Sequence, residues 1–172
     1  AYLRNSPESP RALAMQEVNL SVLVQEAALA WAPQAIAKGQ DFGLGVIAAD
    51  QRVLADATRL REMLDNLIDN AIRYSPKGSQ ISLSLLAAPT CRIQVEDSAP
   101  AIQASERVRI FERFYRIPGT RQQGSGLGLA IVRDIAALHR AKVFVKARAH
   151  AQGNCFEVVF PAQSPHKDAS LF

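Results

Sequence analysis

The sequence predicts an α+β fold, a sheet of about five strands with helices covering one face. Three observations carry that reading. Leu60, Leu64, Leu67, Ile68, Ala71 and Ile72 recur at helical spacing and make one apolar stripe over residues 57–74. Ile81-Ser82-Leu83-Ser84-Leu85 alternates strictly, and so does the run from Cys91 to Val95, as half-buried strands do. A glycine-rich run, Gly124-Ser125-Gly126-Leu127-Gly128-Leu129, then opens a further helix.

Each element follows from its residues. Residues 1–18 contain Ser6-Pro7-Glu8-Ser9-Pro10 and read as a linker or remnant of an upstream domain. From Val18, the spacing of Leu20, Leu23, Val24, Ala27, Ala28 and Trp31 predicts a helix ending near 33–39. Phe42–Ile47 and Gln51–Leu54 read as short strands joined at Ala49-Asp50, after which Asp56 caps the helix over 57–74. Ser75-Pro76-Lys77-Gly78 stops that helix. The two alternating strands are antiparallel neighbours joined through Ala88-Pro89-Thr90. A short helical turn runs through Arg107 to Phe111, and residues 112–125 lack periodicity, as a lid would. The helix from about Ser125 to His139 is expected to bury Ile131, Val132, Ile135 and Leu138. Val143–Ala147 and Phe156–Phe160 close the sheet around a turn at Gln152-Gly153-Asn154, placing the main domain at 19–161 and a polar tail at 162–172.

Bulk properties remove several classes. The chain has 172 residues, 48% apolar and 21% charged, the composition of one ordinary globular domain. No apolar run reaches the ~20 residues that span a bilayer, so this piece has no direct membrane contact. It begins at Ala1 without Met and is read as part of a longer protein with membrane segments upstream. The net charge of +4 is scattered, with no basic–aromatic stripe for nucleic acid. Cys91 and Cys155 read as reduced core residues on strands.

Chemistry concentrates in two places. Asn66, Asn70 and Arg73 share one helix flank at i, i+4 and i+7. A carboxamide oxygen suits a hard cation such as Mg²⁺ without repelling a polyphosphate. Gly124, Gly126 and Gly128 let backbone amides approach phosphate, and the helix N-terminus behind them favours an anion. The run does not follow a strand in a βαβ unit, and no GK[ST] is present, which excludes Rossmann and P-loop readings. Arg109, Arg113, Arg116 and Arg121 flank the glycines and would serve a triphosphate.

Asn66-Leu67-Ile68-Asp69-Asn70-Ala71-Ile72-Arg73-Tyr74-Ser75 resembles the N box of sensor histidine kinases. Phe111-Glu112-Arg113-Phe114-Tyr115-Arg116 resembles their F box, and Gly124 to Leu129 with Ala130-Ile131-Val132 their second glycine box. Val158-Val159-Phe160-Pro161 is similar to the usual close of their catalytic domain. The resemblance implies the Bergerat fold shared with type II topoisomerases: a two-layer sandwich of mixed sheet and helices, with ATP bound under a lid. It implies Asn70 as the Mg²⁺ ligand, with Asn66 supporting the metal or phosphate-site water and Arg73 and Tyr74 reaching phosphate or ribose. Asp97 would accept from the adenine amine, and Ala99, Ala101 and Ile102 would line the base site. Arg116 and Arg121 would meet phosphate beside Gly124, Ser125, Gly126, Leu127, Gly128 and Leu129. Phe111 and Phe114 would anchor the lid in the core.

The chain departs from the family pattern at Asp97-Ser98-Ala99-Pro100-Ala101, where Asp-x-Gly-x-Gly is expected, and at Arg140-Ala141, where a glycine pair is usual. Left-handed backbone at either alanine would strain the site by about 1–2 kcal/mol each, whereas ordinary φ would cost nothing. The family's phosphoacceptor lies in a His-Glu-Leu-Arg-Thr-Pro-like segment, and His139, His150 and His166 have no such context. His139 reads as structural. The resemblance therefore implies a Mg-ATP-binding kinase domain in the cytoplasm, whose parent is a homodimer in the bacterial inner membrane. Its partners are a phosphoacceptor/dimerisation domain outside this chain and a response regulator. Two alternatives stand beside it: a degenerate domain of the fold acting as a regulatory interaction module, supported by Ala99 and Ala101, and a protein-serine kinase of the anti-sigma type.

Overall fold

The computed structural model describes residues 12–119 and 126–162. Among them a five-stranded mixed sheet carries helices on one face, as the sequence predicted. The elements are β1 (Gln16–Asn19), α1 (Leu20–Ala37), β2 (Asp41–Ile47), β3 (Arg52–Ala55), α2 (Ala57–Tyr74), β4 (Gln80–Leu86) and β5 (Arg92–Asp97). A 3₁₀ turn at Arg109–Phe111, then α3 (Gly128–Leu138), β6 (Lys142–Ala147) and β7 (Asn154–Val159) complete the chain. The sheet order is β2-β4-β5-β7-β6, with β2 parallel to β4 and every other pair antiparallel.

Residues 16–19 were not expected as a strand. Gln16–Asn19 pairs antiparallel with β3, Val18 opposite Val53, in a separate two-stranded sheet, so part of the expected lead-in belongs to the fold and the helix starts two residues later than Val18. Both valines are buried, and Asn19 then caps α1 by accepting from the Ser21 and Val22 amides at 3.0 and 3.4 Å. The strands on either side of Ala49-Asp50 join different sheets. α1 also runs through Pro33 to Ala37. Pro33 lacks an N–H for the Leu29 carbonyl, and Leu29 is well exposed, so water can serve that oxygen.

The helix over 57–74 has the predicted bounds. Its buried stripe of Leu60, Met63, Leu64, Leu67, Ile68, Ala71 and Ile72 packs on the sheet through Ile81, Leu83, Leu85, Ile93 and Val95. Each fully buried Leu or Ile there is worth about 1.5–3 kcal/mol. α3 buries Ala130, Val132, Ile135 and Ala136, with His139 just beyond, while Leu138 is 52% exposed against expectation. The stripe runs through positions 132, 135, 136 and 139, and residue 138 lies off it. Cys155 is a buried strand residue, whereas Cys91 lies just before β5 and is half-buried; both are free thiols.

The helices are tied down where they meet the site. Asp56 Oδ1 accepts from the Arg59 amide at 3.1 Å and Oδ2 from the Ala14 amide at 3.0 Å. The Asp56 amide donates to His139 Nε2 at 3.1 Å, and the other ring nitrogen lies 2.8 Å from the Ile135 carbonyl. These contacts fit the tautomer protonated at Nδ1. His139 thus joins the end of α3 to the start of α2, the structural part expected of it. Trp31 Nε1 and Arg61 Nε both donate to Asp65, at 2.8 and 2.9 Å, fixing α1 on α2.

Candidate functional site

The first half of the site is the C-terminal part of α2. Lys38 Nζ donates to the Ile72 and Arg73 carbonyls at 2.7 and 3.0 Å, and Gln40 Nε2 to those of Ile72 and Ser75 at 2.9 and 2.7 Å. These donors satisfy carbonyls that a helix end leaves open. They hold Asn70, Arg73 and Tyr74 against the cavity. Asn66 Nδ2 is committed to the Glu62 carbonyl at 2.9 Å, and a β-carbon added at Gly128 would lie 3.3 Å from Asn66 Oδ1. Glycine at 128 therefore lets the start of α3 close on that oxygen. The Asn70 side chain has no hydrogen-bond partner among the described residues. Arg73 pairs with Asp69 at 3.1 Å along the helix.

The second half is the end of β5. Asp97 is 3% exposed, and its Oδ1 accepts from the Ala99 amide and from Asn154 Nδ2, both at 3.1 Å. Burial pushes the Asp97 carboxyl above the usual carboxylate range, and the donors from Asn154 and Ala99 pull against that rise. Ala99 is buried beside it and lines the cavity with Pro100 and Ile102. Ala101 is exposed and is not among the lining residues. Neither alanine has a positive φ. The left-handed strain falls instead on Arg140, at φ +55, the first residue of the other substituted pair.

The third part is the chain around the glycines. Gly126, at φ +71, accepts from the Phe114 amide at 3.0 Å, and a β-carbon there would lie 2.9 Å from the Phe114 backbone. This contact joins the two ends of the segment between them. Phe111 is buried edge-on to Phe156 at 6.4 Å, as expected of an anchor. Phe114 is 71% exposed at φ +64, so its backbone, not its ring, fastens this segment. Of the basic cluster, Arg109 sits 4.6 Å over the Tyr115 ring and Arg113 pairs with Asp134 at 3.1 Å. Arg116 lines the cavity. Arg121, Gly124 and Ser125 lie outside the described residues, as do residues 1–11 and 163–172.

One cavity of about 530 Å³ brings these parts together: Asn66, Asn70, Arg73 and Tyr74 from α2, Asp97, Ala99 and Ile102 from β5 onward, and Arg116, Gly126, Leu127, Gly128 and Leu129. Its volume falls in the range of small-molecule sites. Tyr115, Ile131, Asn154 and Phe156 also line it and were not named as site residues in the sequence; Tyr115 was quoted only within a motif, and Ile131, expected to be buried, is half-buried against the cavity. Asn154 was read only as a turn residue. The signal that could have found it is its place at the start of a strand, directly after a glycine.

Residues 55–164 match the family model of the histidine kinase-, DNA gyrase B-, and HSP90-like ATPases. The swarming motility regulation sensor protein RssA of Serratia marcescens is 43% identical over 106 residues, which are 60% of this chain and 22% of that protein. The sensor protein IrlS of Burkholderia pseudomallei is 34% identical over 167 residues, 95% of this chain and 35% of that protein. The chain thus spans about a third or less of the length of these curated relatives. In structure it resembles the nucleotide-free catalytic domain of the histidine kinase ThkA, with a TM-score of 0.76 at 28% identity, covering 87% of this chain and 97% of that one. ThkA in complex with the response regulator protein TrrA matches with a TM-score of 0.73 at 28% identity, over 89% of this chain and 43% of that one. With the fold, the family model and these relatives in agreement, the chain belongs to the histidine kinase-, DNA gyrase B- and HSP90-like ATPase family, as a catalytic domain of the sensor histidine kinase kind.

Proposed function

We propose that this domain binds Mg-ATP in the cavity between α2, the end of β5 and the start of α3, and donates the γ-phosphate to a His on a phosphoacceptor domain outside these residues. The observation that carries the reading is the convergence of Asn66, Asn70, Asp97 and the Gly126–Leu129 turn on one cavity. Asp97, buried in the cavity lining, accepts a hydrogen bond from the base amine. Arg73, Tyr74 and Arg116 lie along the walls, where ribose and phosphate extend. The amides leading into α3 add donors and a partial positive charge for the phosphates.

The donor set fits Mg²⁺. Among the described residues no cluster of three His, Cys, Asp or Glu could cage a metal, and the cavity offers carboxamides. Such a site suits an ion that keeps waters and takes phosphate oxygens. Asn70 would hold it, with Asn66 Oδ1 beside it. The ion would neutralise charge on the phosphates, and the protein's share is positioning. Transfer onward to a response regulator, a homodimeric parent and an inner-membrane setting are parts of the same proposal, supported by the sensor-kinase relatives.

The ordinary φ at Ala99 and Ala101 favours a working pocket over a degenerate regulatory domain, because the glycine losses impose no left-handed strain. Calorimetric titration with Mg-ADP and a non-hydrolysable ATP analogue tests this. Saturable binding is expected from the chain as it stands, lost on Asn70→Ala or Asp97→Ala and changed less than threefold by Ala99→Gly/Ala101→Gly, under ~1 kcal/mol. Binding that appears only once the glycines are restored would overturn the reading in favour of the degenerate module.

A further inference from the structure

Asn154 opens β7 directly across the ladder from Asp97, and it is 3% exposed. Its carboxamide is spent on the wall of the cavity. Nδ2 donates to Asp97 Oδ1 and to the Pro100 carbonyl, both at 3.1 Å, while Oδ1 accepts from the Ile102 amide at 2.8 Å. A single side chain thereby grips the carboxylate and both ends of the Pro100–Ile102 segment. With the Ala99 amide also on Oδ1, two donors on one oxygen fix the plane of the Asp97 carboxylate. Oδ2 is left as the acceptor for a molecule in the cavity. Gly153 makes the grip possible: its φ is +133, and a β-carbon there would lie 1.9 Å from the Asp97 carbonyl oxygen. The segment after Asp97 contains no glycine, so its shape is held by the Asn154 carboxamide, with Ala99 and Pro100 as rigid lining.

We infer that Asn154 is a positioning residue for base selectivity, holding Asp97 Oδ2 and the 99–102 wall in one geometry that accepts an exocyclic amine and rejects a 6-oxopurine. The inference rests on the ATP reading of the cavity. A fixed carboxylate oxygen pairs with the N6 donor of adenine and opposes the O6 acceptor of hypoxanthine. If the carboxylate can swing, the hydrogen bond to adenine weakens and the penalty on the oxopurine relaxes.

The test is titration of the whole chain, with Mg²⁺, by ATP and by inosine triphosphate, in the unaltered protein and in Asn154→Ala and Asn154→Asp. Asn154→Asp keeps the size and the acceptor for the Ile102 amide, and replaces the donor to Asp97 by an opposing oxygen. Both variants are expected to lose about 10–100-fold in ATP affinity, the range for a hydrogen bond to a charged group. Inosine triphosphate should change little, so that the ATP preference collapses. Equal losses for both nucleotides would make Asn154 merely structural and overturn the inference, as would an unchanged preference in both variants. If the unaltered chain binds neither nucleotide, the ATP reading itself falls and the inference with it. That outcome is distinct, because failure of the inference alone leaves the unaltered chain binding ATP.

Discussion

Gly153→Ala should damage this domain more than any other single methyl group added at a described glycine. The added β-carbon would lie 1.9 Å from the Asp97 carbonyl oxygen and 2.9 Å from the Asp97 carbonyl carbon and Ser98 Cα. All three are backbone atoms, and real β-carbons essentially never come closer than 3.0 Å, so strand ends must part by roughly 1 Å. The parting lies at the Asp97–Asn154 end of the β5–β7 ladder, where the Asn154 bonds to Asp97, Pro100 and Ile102 also sit. Losing two or three hydrogen bonds at ~1 kcal/mol each, plus ~1–2 kcal/mol of backbone strain at φ +133, gives a cost of about 3–5 kcal/mol. Gly78→Ala separates strain from overlap. Its φ is +85 and nothing lies within 4 Å of the added carbon, so strain acts alone and is partly offset by the stiffer unfolded chain, leaving ~1 kcal/mol. Arg140→Gly runs the other way, relieving φ +55 after α3, and should stabilise by ~0.5–1 kcal/mol. Trp31 is the single tryptophan and is half-buried against α2, so urea unfolding followed by its fluorescence reads all three variants. A Gly153→Ala cost within ~1 kcal/mol of that of Gly78→Ala would refute the argument, since the hairpin would then yield at no expense.

Further outcomes follow from other contacts. Asp56→Ala removes the α2 cap and the tie to Ala14, and should cost ~0.5–2 kcal/mol at neutral pH. The amides of Ala14 and Arg59 hold the Asp56 carboxyl below its ordinary 3.8, so its contribution is full above that pH and fades as pH falls through the lower folded value. Urea midpoints of both proteins across acid pH should converge accordingly. Asp97→Asn should leave the fold at neutral pH as stable as before or more so, because the folded pKa is raised by burial and ionisation there opposes folding; stability of the unaltered chain then gains as the carboxyl protonates. The same change should weaken ATP binding in the calorimeter. Cys155, pushed up to about 12 by burial, should react with a thiol reagent only at the rate of unfolding.

The legible parts of this fold were those in which one physical signal acts over many residues. The stripe of 57–74 and the alternation of 81–85 and 91–95 are set by burial on one face, and both appear with nearly the predicted bounds. Gln16–Asn19 escaped because four residues carry too little periodicity, and its partner β3 lies more than thirty positions away. Leu138 misled for a related reason: hydrophobicity alone does not fix the phase of an eleven-residue helix. In the site, motif residues projecting from regular elements were readable, and those acting through loop contacts were not. Asn154 depends on which strand lies beside β5, and the backbone role of Phe114 depends on a positive φ.

The two alanines show most directly what a glycine pattern cannot say. A glycine is favoured where φ is positive and required where neighbouring backbone leaves no room for a β-carbon. Around this cavity those demands fall on Gly126, against Phe114, and on Gly153, against Asp97. They do not fall on residue 99, whose methyl group packs into the wall, or on residue 101, which faces solvent. The close approach that fixes Asp97 is made by the β6–β7 hairpin, and Asn154 fastens the segment that glycines would otherwise leave loose. Loss of glycine at 99 and 101 is therefore compatible with a formed base pocket, and it exchanges a pliable wall for a rigid one. The consequence is energetic as well as structural: a wall that need not be ordered on binding removes part of the conformational cost of association.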